Sequence, residues 1–307
     1  MRNKFAELLY KYGSKNKNVY LVAADISPAG SIEKFRKKNP YRFINVGVAE
    51  QSMIGISAGL SMMGKIVFAY TIAAFSVFRP FEMIRDDLCY QNLPVVVVGM
   101  GAGTAYHNLG GTHLTQEDIS VLKSLPNMQI ISPADPLELK YVMEYCIKQN
   151  TGPLYLRLGK SGEKIFTHKA IDKWKFGKIR KIINGNKIAI LTYGPIINLA
   201  DKTISELKKY KLKPSLYNCH TLKPLDKNKI KSIFKKYKLV VVIEDHSEIN
   251  GLASDIKNIA YENKYKGKII NFSLKDKFFH TYEKQEYMLN LHGISINKIK
   301  SKILSSL

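Results

Sequence analysis

The chain has 307 residues, 45 % of them apolar, enough for two ordinary domains with real cores and too apolar for an intrinsically disordered protein. Cys89, Cys146 and Cys219 are far apart and odd in number, which argues against a disulfide framework, and no apolar run reaches the ~18 residues of a membrane span. The net charge of +23 comes from 41 Lys and 7 Arg against 25 acidic groups, a Lys-rich solvated surface rather than the Arg forks that read nucleic acid.

The charge is uneven. Residues 1–160 carry 18 basic and 12 acidic groups, net +6, and residues 161–307 carry 30 and 13, net +17. An acidic partner chain is compatible with that imbalance. The first residues, MRNKFAELLYKYGSKNKN, lack the apolar core of a signal peptide, so the expectation is a cytoplasmic protein that binds neither membrane nor nucleic acid.

NVYLVAAD (18–25) reads as a buried strand and RFINVG (42–47) as a second, leading into a helix after Glu50 made almost wholly of small and apolar residues. KIVFAYT (65–71) is a third strand, and residues 73–91 form a long helical stretch. LPVVVVGMG (93–101), with four consecutive valines, predicts a central parallel strand. A strand at 128–133, a helix over 135–149 and a strand at 152–160 complete a doubly wound α/β domain over residues 1–165. Residues 166–184 are polar and poorly periodic and read as a linker. A second mainly parallel α/β unit, 185–307, follows, with strands at 187–194, 213–219, 239–245 and 266–272.

Three stretches carry candidate chemistry. Glu50 lies at the mouth of an apolar helix with no cation near it in sequence. A carboxylate there either interacts with the helix dipole or serves a buried function. Gly55, Ala58 and Gly59 behind it permit close packing of another backbone, in a core or at a subunit interface. Phe75, Phe78 and Phe81 recur at helical spacing, as a core stripe or as the wall for a flat ring flanked by Arg79 and Arg85. The glycine-rich loop GAGTAYHNLGGTHLTQED (101–118) follows the valine strand, where ligand sites are built, and holds His107 and His113. Neither GxGxxG opening a helix nor a P-loop is present in the required setting.

The series GVAEQ, YT…F…R, LPVVVVG, TH…ED, LPNMQIISPAD and GPLYLRLGK, continued by HTLKPLD (220–226) and VVVIEDHSEINGLAS (240–254), resembles the C-terminal half of transketolase-like, thiamine-diphosphate-dependent enzymes. The resemblance covers nearly the whole chain. It implies a pyrimidine-binding domain followed by the family's C-terminal domain, with thiamine diphosphate at a subunit interface. Glu50 matches the glutamate that shares a proton with N1′ of the aminopyrimidine, and a carboxyl in an apolar site favours its neutral form. Phe75 matches the stacking aromatic, with Ile72 and Phe78 beside it, although the family's residue at position 72 is usually aromatic. Asp25 matches an aspartate near the cofactor pocket. Thr112 and His113 match the pair whose histidine faces the substrate's reacting oxygens. Lys160, with Arg157, falls where relatives carry a cation for a sugar phosphate.

Two departures refine the expectation. His107, Asn108 and Leu109 stand where relatives often carry an acidic pair that holds a donor hydroxyl. This points away from ordinary ketose phosphates and toward a modified, deoxy or nucleotide-linked sugar. The family's GDG motif for metal and diphosphate is absent, so Mg2+ ligands are expected on an N-terminal partner subunit, in an α2β2 assembly. The alternatives are the beta subunit of a 2-oxoacid dehydrogenase first component, a deoxyxylulose-phosphate-synthase-like reaction, and a non-catalytic family member.

Overall fold

A computed structural model describes residues 1–26 and 31–307. Among them, β1 (Val19–Ala23), β2 (Phe43–Asn45), β3 (Ile66–Ile72), β4 (Val96–Met100), β5 (Gln129–Ile131) and β6 (Leu154–Leu158) form one parallel sheet, in the order β5-β6-β4-β3-β1-β2. β4 is central and buried along its whole length, as a strand covered on both faces requires. The second sheet contains β7 (Arg180–Ile183), β8 (Ile188–Thr192), β9 (Ser215–Asn218), β11 (Leu239–Ser247) and β12 (Lys268–Leu274), in the order β12-β11-β8-β9-β7. All of its pairings are parallel except β7 with β9. Both sheets have helices packed on their faces, so the protein is α/β with two mainly parallel sheets.

β10 (Thr221–Lys223) leaves the second unit and pairs antiparallel with β5, giving the first sheet a seventh strand. The two units are therefore joined by backbone hydrogen bonds as well as side chains. One buried apolar cluster includes Met53, Ile54, Leu122 and Met128 of the first unit and Leu222 and Leu252 of the second.

Several segments differ from the sequence reading. The stretch 166–184, read as a linker, ends in β7, whose Arg180 and Ile182 point into the protein. Residues 73–91 are not one helix. A short helix, Ala73–Val77, is followed by Pro80, then Phe81–Met83 and the π-helical turn Ile84–Tyr90. Pro80 cannot donate to the turn before it, which breaks the run and lets residues 78–80 face a different direction. Helices Gln285–Leu291 and Ile296–Leu304 close the chain beyond the last predicted strand.

Two buried ion pairs lie at the seam between the units. Arg157 Nε donates to Asp118 Oδ2 at 2.8 Å and its Nη2 donates to the Asp245 carbonyl at 2.8 Å. Arg180 Nη1 donates to Glu138 Oε1 at 2.8 Å, and Glu138 Oε2 also accepts from Ala134 N and Asn218 Nδ2. Such pairs hold geometry more than they add net stability, but losing one partner leaves a buried charge behind.

Candidate active site

In a doubly wound sheet, the crevice for a ligand opens at the carboxyl ends of the strands, where the strand order reverses. In the first sheet the reversal falls between β1 and β3. Ala24 and Asp25 follow β1, Val48 and Glu50 follow β2, and Thr71 and Ile72 are the last two residues of β3; these six residues line one cavity with Phe75, Arg79 and Tyr106. The strand ends are tied together there. Asn45 Oδ1 accepts from Asp25 N at 3.2 Å and Gly47 N at 3.0 Å, and Thr71 Oγ1 donates to the Ala24 carbonyl at 2.9 Å. Gly47 takes φ +70°, a backbone shape that favours glycine, and this turn delivers Glu50 to the first turn of helix α1 (Glu50–Met62).

Glu50 is 2 % exposed, and it is not isolated. Arg79 Nη1 donates to both carboxylate oxygens, at 3.1 and 3.0 Å, and the guanidinium carbon lies 4.5 Å from the centroid of the Phe75 ring. The cation that is missing near Glu50 in sequence is supplied by the fold. It arrives from 29 positions away, across β3. Phe75 presents one ring to this cavity, and His113 meets the same ring edge to face at 5.1 Å. His113 is half-buried, and burial holds its pKa below the usual 6.5, so the imidazole is neutral near pH 7. Thr112 Oγ1 and His113 Nδ1 are in hydrogen-bond contact at 3.0 Å.

The cavity thus gathers Asp25, Glu50, Ile72 and Phe75; His113 is not in its lining and reaches it through the Phe75 ring. Phe78 is not among its walls; the helix Ala73–Val77 ends before it, and the residue is 40 % exposed. His107, Arg157 and Lys160 line a second cavity between the two units. Lys160 Nζ sits 4.8 Å from the centroid of the Tyr106 ring, and Tyr106 borders the Glu50 cavity. His107 Nδ1–H donates to the Glu283 carbonyl at 2.6 Å, since a carbonyl can only accept. Arg157, expected to meet a phosphate, is buried instead in the seam with Asp118 and Asp245. Its two bonded nitrogens hold the protein together, and Lys160 is the more exposed cation of the pair.

Sequence reasoning singled out Arg79 only as a flank, and it missed Tyr106, Asp118 and Asp245. Asp245 accepts from Thr104 N at 3.1 Å and Thr104 Oγ1 at 2.9 Å, anchoring the histidine loop to β11. A Cβ at Gly103, which takes φ +68°, would meet Asp245 Oδ2 at 2.4 Å, so only glycine fits this approach. The run VVVIED carried the signal, a carboxylate directly after four buried apolar residues and Glu244, but nothing in sequence placed the loop opposite it.

Two domain matches account for most of the chain. Residues 1–162 match the transketolase pyrimidine binding domain and residues 177–299 the transketolase C-terminal domain. The chain belongs to the transketolase family. Within it, the chain is 32 % identical to the putative transketolase C-terminal section of Methanocaldococcus jannaschii, over 100 % of this chain and 96 % of that protein. It is 31 % identical to the 6-deoxy-6-sulfo-D-fructose transketolase subunit SqwH of a Clostridium species, over 86 % of this chain and 81 % of that one. A solved split gene transketolase, described as an inactive beta4 tetramer, superposes with a TM-score of 0.88 at 28 % identity, covering 100 % of this chain and 97 % of that chain. The transketolase of Campylobacter jejuni shares the fold, with a TM-score of 0.74 at 18 % identity, and this chain covers 46 % of it.

Proposed function

We propose that this chain is the pyrimidine-activating subunit of a split, thiamine-diphosphate-dependent transketolase, moving a two-carbon ketol unit between sugar-type substrates in the cytoplasm. The observation that carries this reading is the meeting of a buried carboxylate, an aromatic face and a neutral histidine at the switch point of the first sheet. When bound, the cofactor supplies a thiazolium that stabilises the transferred carbanion. The residues present fit its pyrimidine ring, because a flat, N–H-bearing group already rests on Phe75 and donates to Glu50. Glu50 is assigned to hold a proton against N1′, Phe75 to stack on the ring, and Ile72 and Asp25 to close the pocket. His113 is assigned to steady the substrate's oxygens, with Thr112 bonded to its Nδ1. Lys160 and His107 line the approach for a substrate's polar or anionic end.

The diphosphate and its Mg2+ are assigned to an N-terminal partner subunit, in an α2β2 complex. α1 supports that arrangement. Ile56 and Met62 of this helix, and Met63 just after it, are exposed, as are Gly55 and Gly59, an apolar face on the helix that begins at Glu50, where a second chain can approach closely. A modified sugar is the proposed substrate class. The acidic pair is missing from the HNLGGTH loop, and two similar proteins are named for apulose 4-phosphate and 6-deoxy-6-sulfo-D-fructose. Purified alone, the chain should show no ketol transfer; activity with a panel of phosphorylated, sulfonated and nucleotide-linked sugars should appear only on adding the partner. Full turnover by the single chain, or a full rate with ordinary ketose phosphates, would overturn this proposal.

A second reading has one observation in its favour. The chain is 32 % identical to a 1-deoxy-D-xylulose-5-phosphate synthase of Clostridium acetobutylicum, over 98 % of this chain but only 48 % of that protein. Condensation of pyruvate with glyceraldehyde phosphate by the reconstituted complex would favour that chemistry over ketol transfer.

A further inference from the structure

Both groups assigned to the pyrimidine ring are covered by one side chain of the same protein. Arg79 bonds both oxygens of Glu50, and its guanidinium carbon lies over the Phe75 ring, 4.5 Å from the centroid. A guanidinium is planar, carries N–H donors on its edge and stacks on aromatic faces. An aminopyrimidine presents the same features to a carboxylate and a ring. The two cannot occupy the space together.

The pair is also asymmetric in a way that allows exchange. The Glu50 side chain is 2 % exposed and fixed in the first turn of α1, whereas the Arg79 side chain is 44 % exposed. Arg79 lies between Ala73–Val77 and Phe81–Met83, outside both helices, so rotating its side chain outward disturbs no helical hydrogen bond. A buried carboxylate left without a partner is costly, and the arginine supplies one while the chain carries no cofactor. We infer that Arg79 is an internal surrogate for the pyrimidine ring, and that the cofactor enters by displacing it from Glu50 and Phe75. This rests on the pyrimidine-pocket reading above.

Such a surrogate lowers apparent affinity in proportion to the time it occupies the site. It also makes the unloaded subunit self-sufficient before it meets a partner. Lysine at this position would keep the charge but not the flat surface, since an ammonium is a compact point charge.

The test titrates the full-length chain with 4-amino-5-hydroxymethyl-2-methylpyrimidine, read by ligand-observed NMR. This probe is neutral, so removing a positive charge does not by itself favour it. Arg79→Ala and Arg79→Gln should each bind it at least about tenfold more tightly than wild type, with Arg79→Lys between. Melting curves identify the variants that remain folded, and Arg79→Gln serves if Arg79→Ala does not. Equal or weaker binding by a folded Arg79 variant, with binding still lost in Phe75→Ala, overturns the surrogate and leaves the pocket standing. Absence of binding by every chain overturns both.

Discussion

The rings of Phe75 and His113 meet edge to face, 5.1 Å apart, and so join the wall of the Glu50 cavity to the histidine loop. The proposed stacking and substrate-contact roles fall on these two adjacent side chains and are separable. His113→Asn should lower ketol transfer by about 10²–10⁴-fold while changing cofactor affinity little. A variant that loses cofactor binding and activity together would show that His113 serves only to prop Phe75.

The same histidine predicts a pH profile. Burial lowers its pKa from 6.5, so the folded imidazole stays neutral down to that value and below it. If the neutral ring is required, the acid limb of kcat/KM has its midpoint below pH 6.5 and vanishes in His113→Asn. An acid limb centred above pH 6.5 that depends on His113 contradicts the assignment.

Lys160 and the more exposed Lys164 both line the inter-unit cavity, and the Lys160 ammonium is packed over Tyr106 at 4.8 Å. Lys160→Ala should raise KM for an anionic sugar several-fold more than for its uncharged counterpart, with kcat largely kept. Equal effects on both would remove Lys160 from the substrate's anionic pole.

The Glu138–Arg180 pair at the seam is costly to break from one side only. Glu138 accepts from Arg180, Ala134 N and Asn218, all buried. Glu138→Ala leaves the guanidinium without its partner and should cost about 3–5 kcal/mol by denaturant unfolding, whereas Glu138→Met with Arg180→Met should cost much less. Equal losses in the single and double variants would contradict this account.

His246 makes the seam acid-sensitive. Its Nδ1–H donates to the Ser247 carbonyl at 2.9 Å and its Nε2 accepts from Ser120 N at 3.3 Å, an arrangement for the neutral ring. Burial lowers its pKa to about 4. The unfolded chain then binds a proton that the folded one refuses between about pH 6.5 and 4, so stability falls as pH drops through that window. Relative to His246→Asn, wild type should lose about 1.4 kcal/mol per pH unit there. A difference between the two that is independent of pH would rule this out.

The strands that build the first crevice were legible because burial on both faces leaves continuous apolar runs, as in the four valines before Gly99. β7 and β10 were not. They span four and three residues, and each exists because a neighbouring strand offers an edge; β10 carries no apolar run of its own and pairs across the unit boundary. Glu50, Phe75 and His113 stood out by residue type and neighbourhood. The Glu50–Arg79 pair did not, since its members approach only after β3 crosses the sheet, and the burial of Arg157 depends on Asp118 and Asp245 arriving from separate elements.

The central claim is that Glu50 activates the cofactor's pyrimidine ring. The most direct measurement is hydrogen–deuterium exchange at C2 of thiamine diphosphate, followed by NMR in the complex of this chain with its partner and Mg2+. Wild type should exchange at least about 10²-fold faster than a folded Glu50→Gln variant. Undiminished exchange in that variant would contradict the assignment.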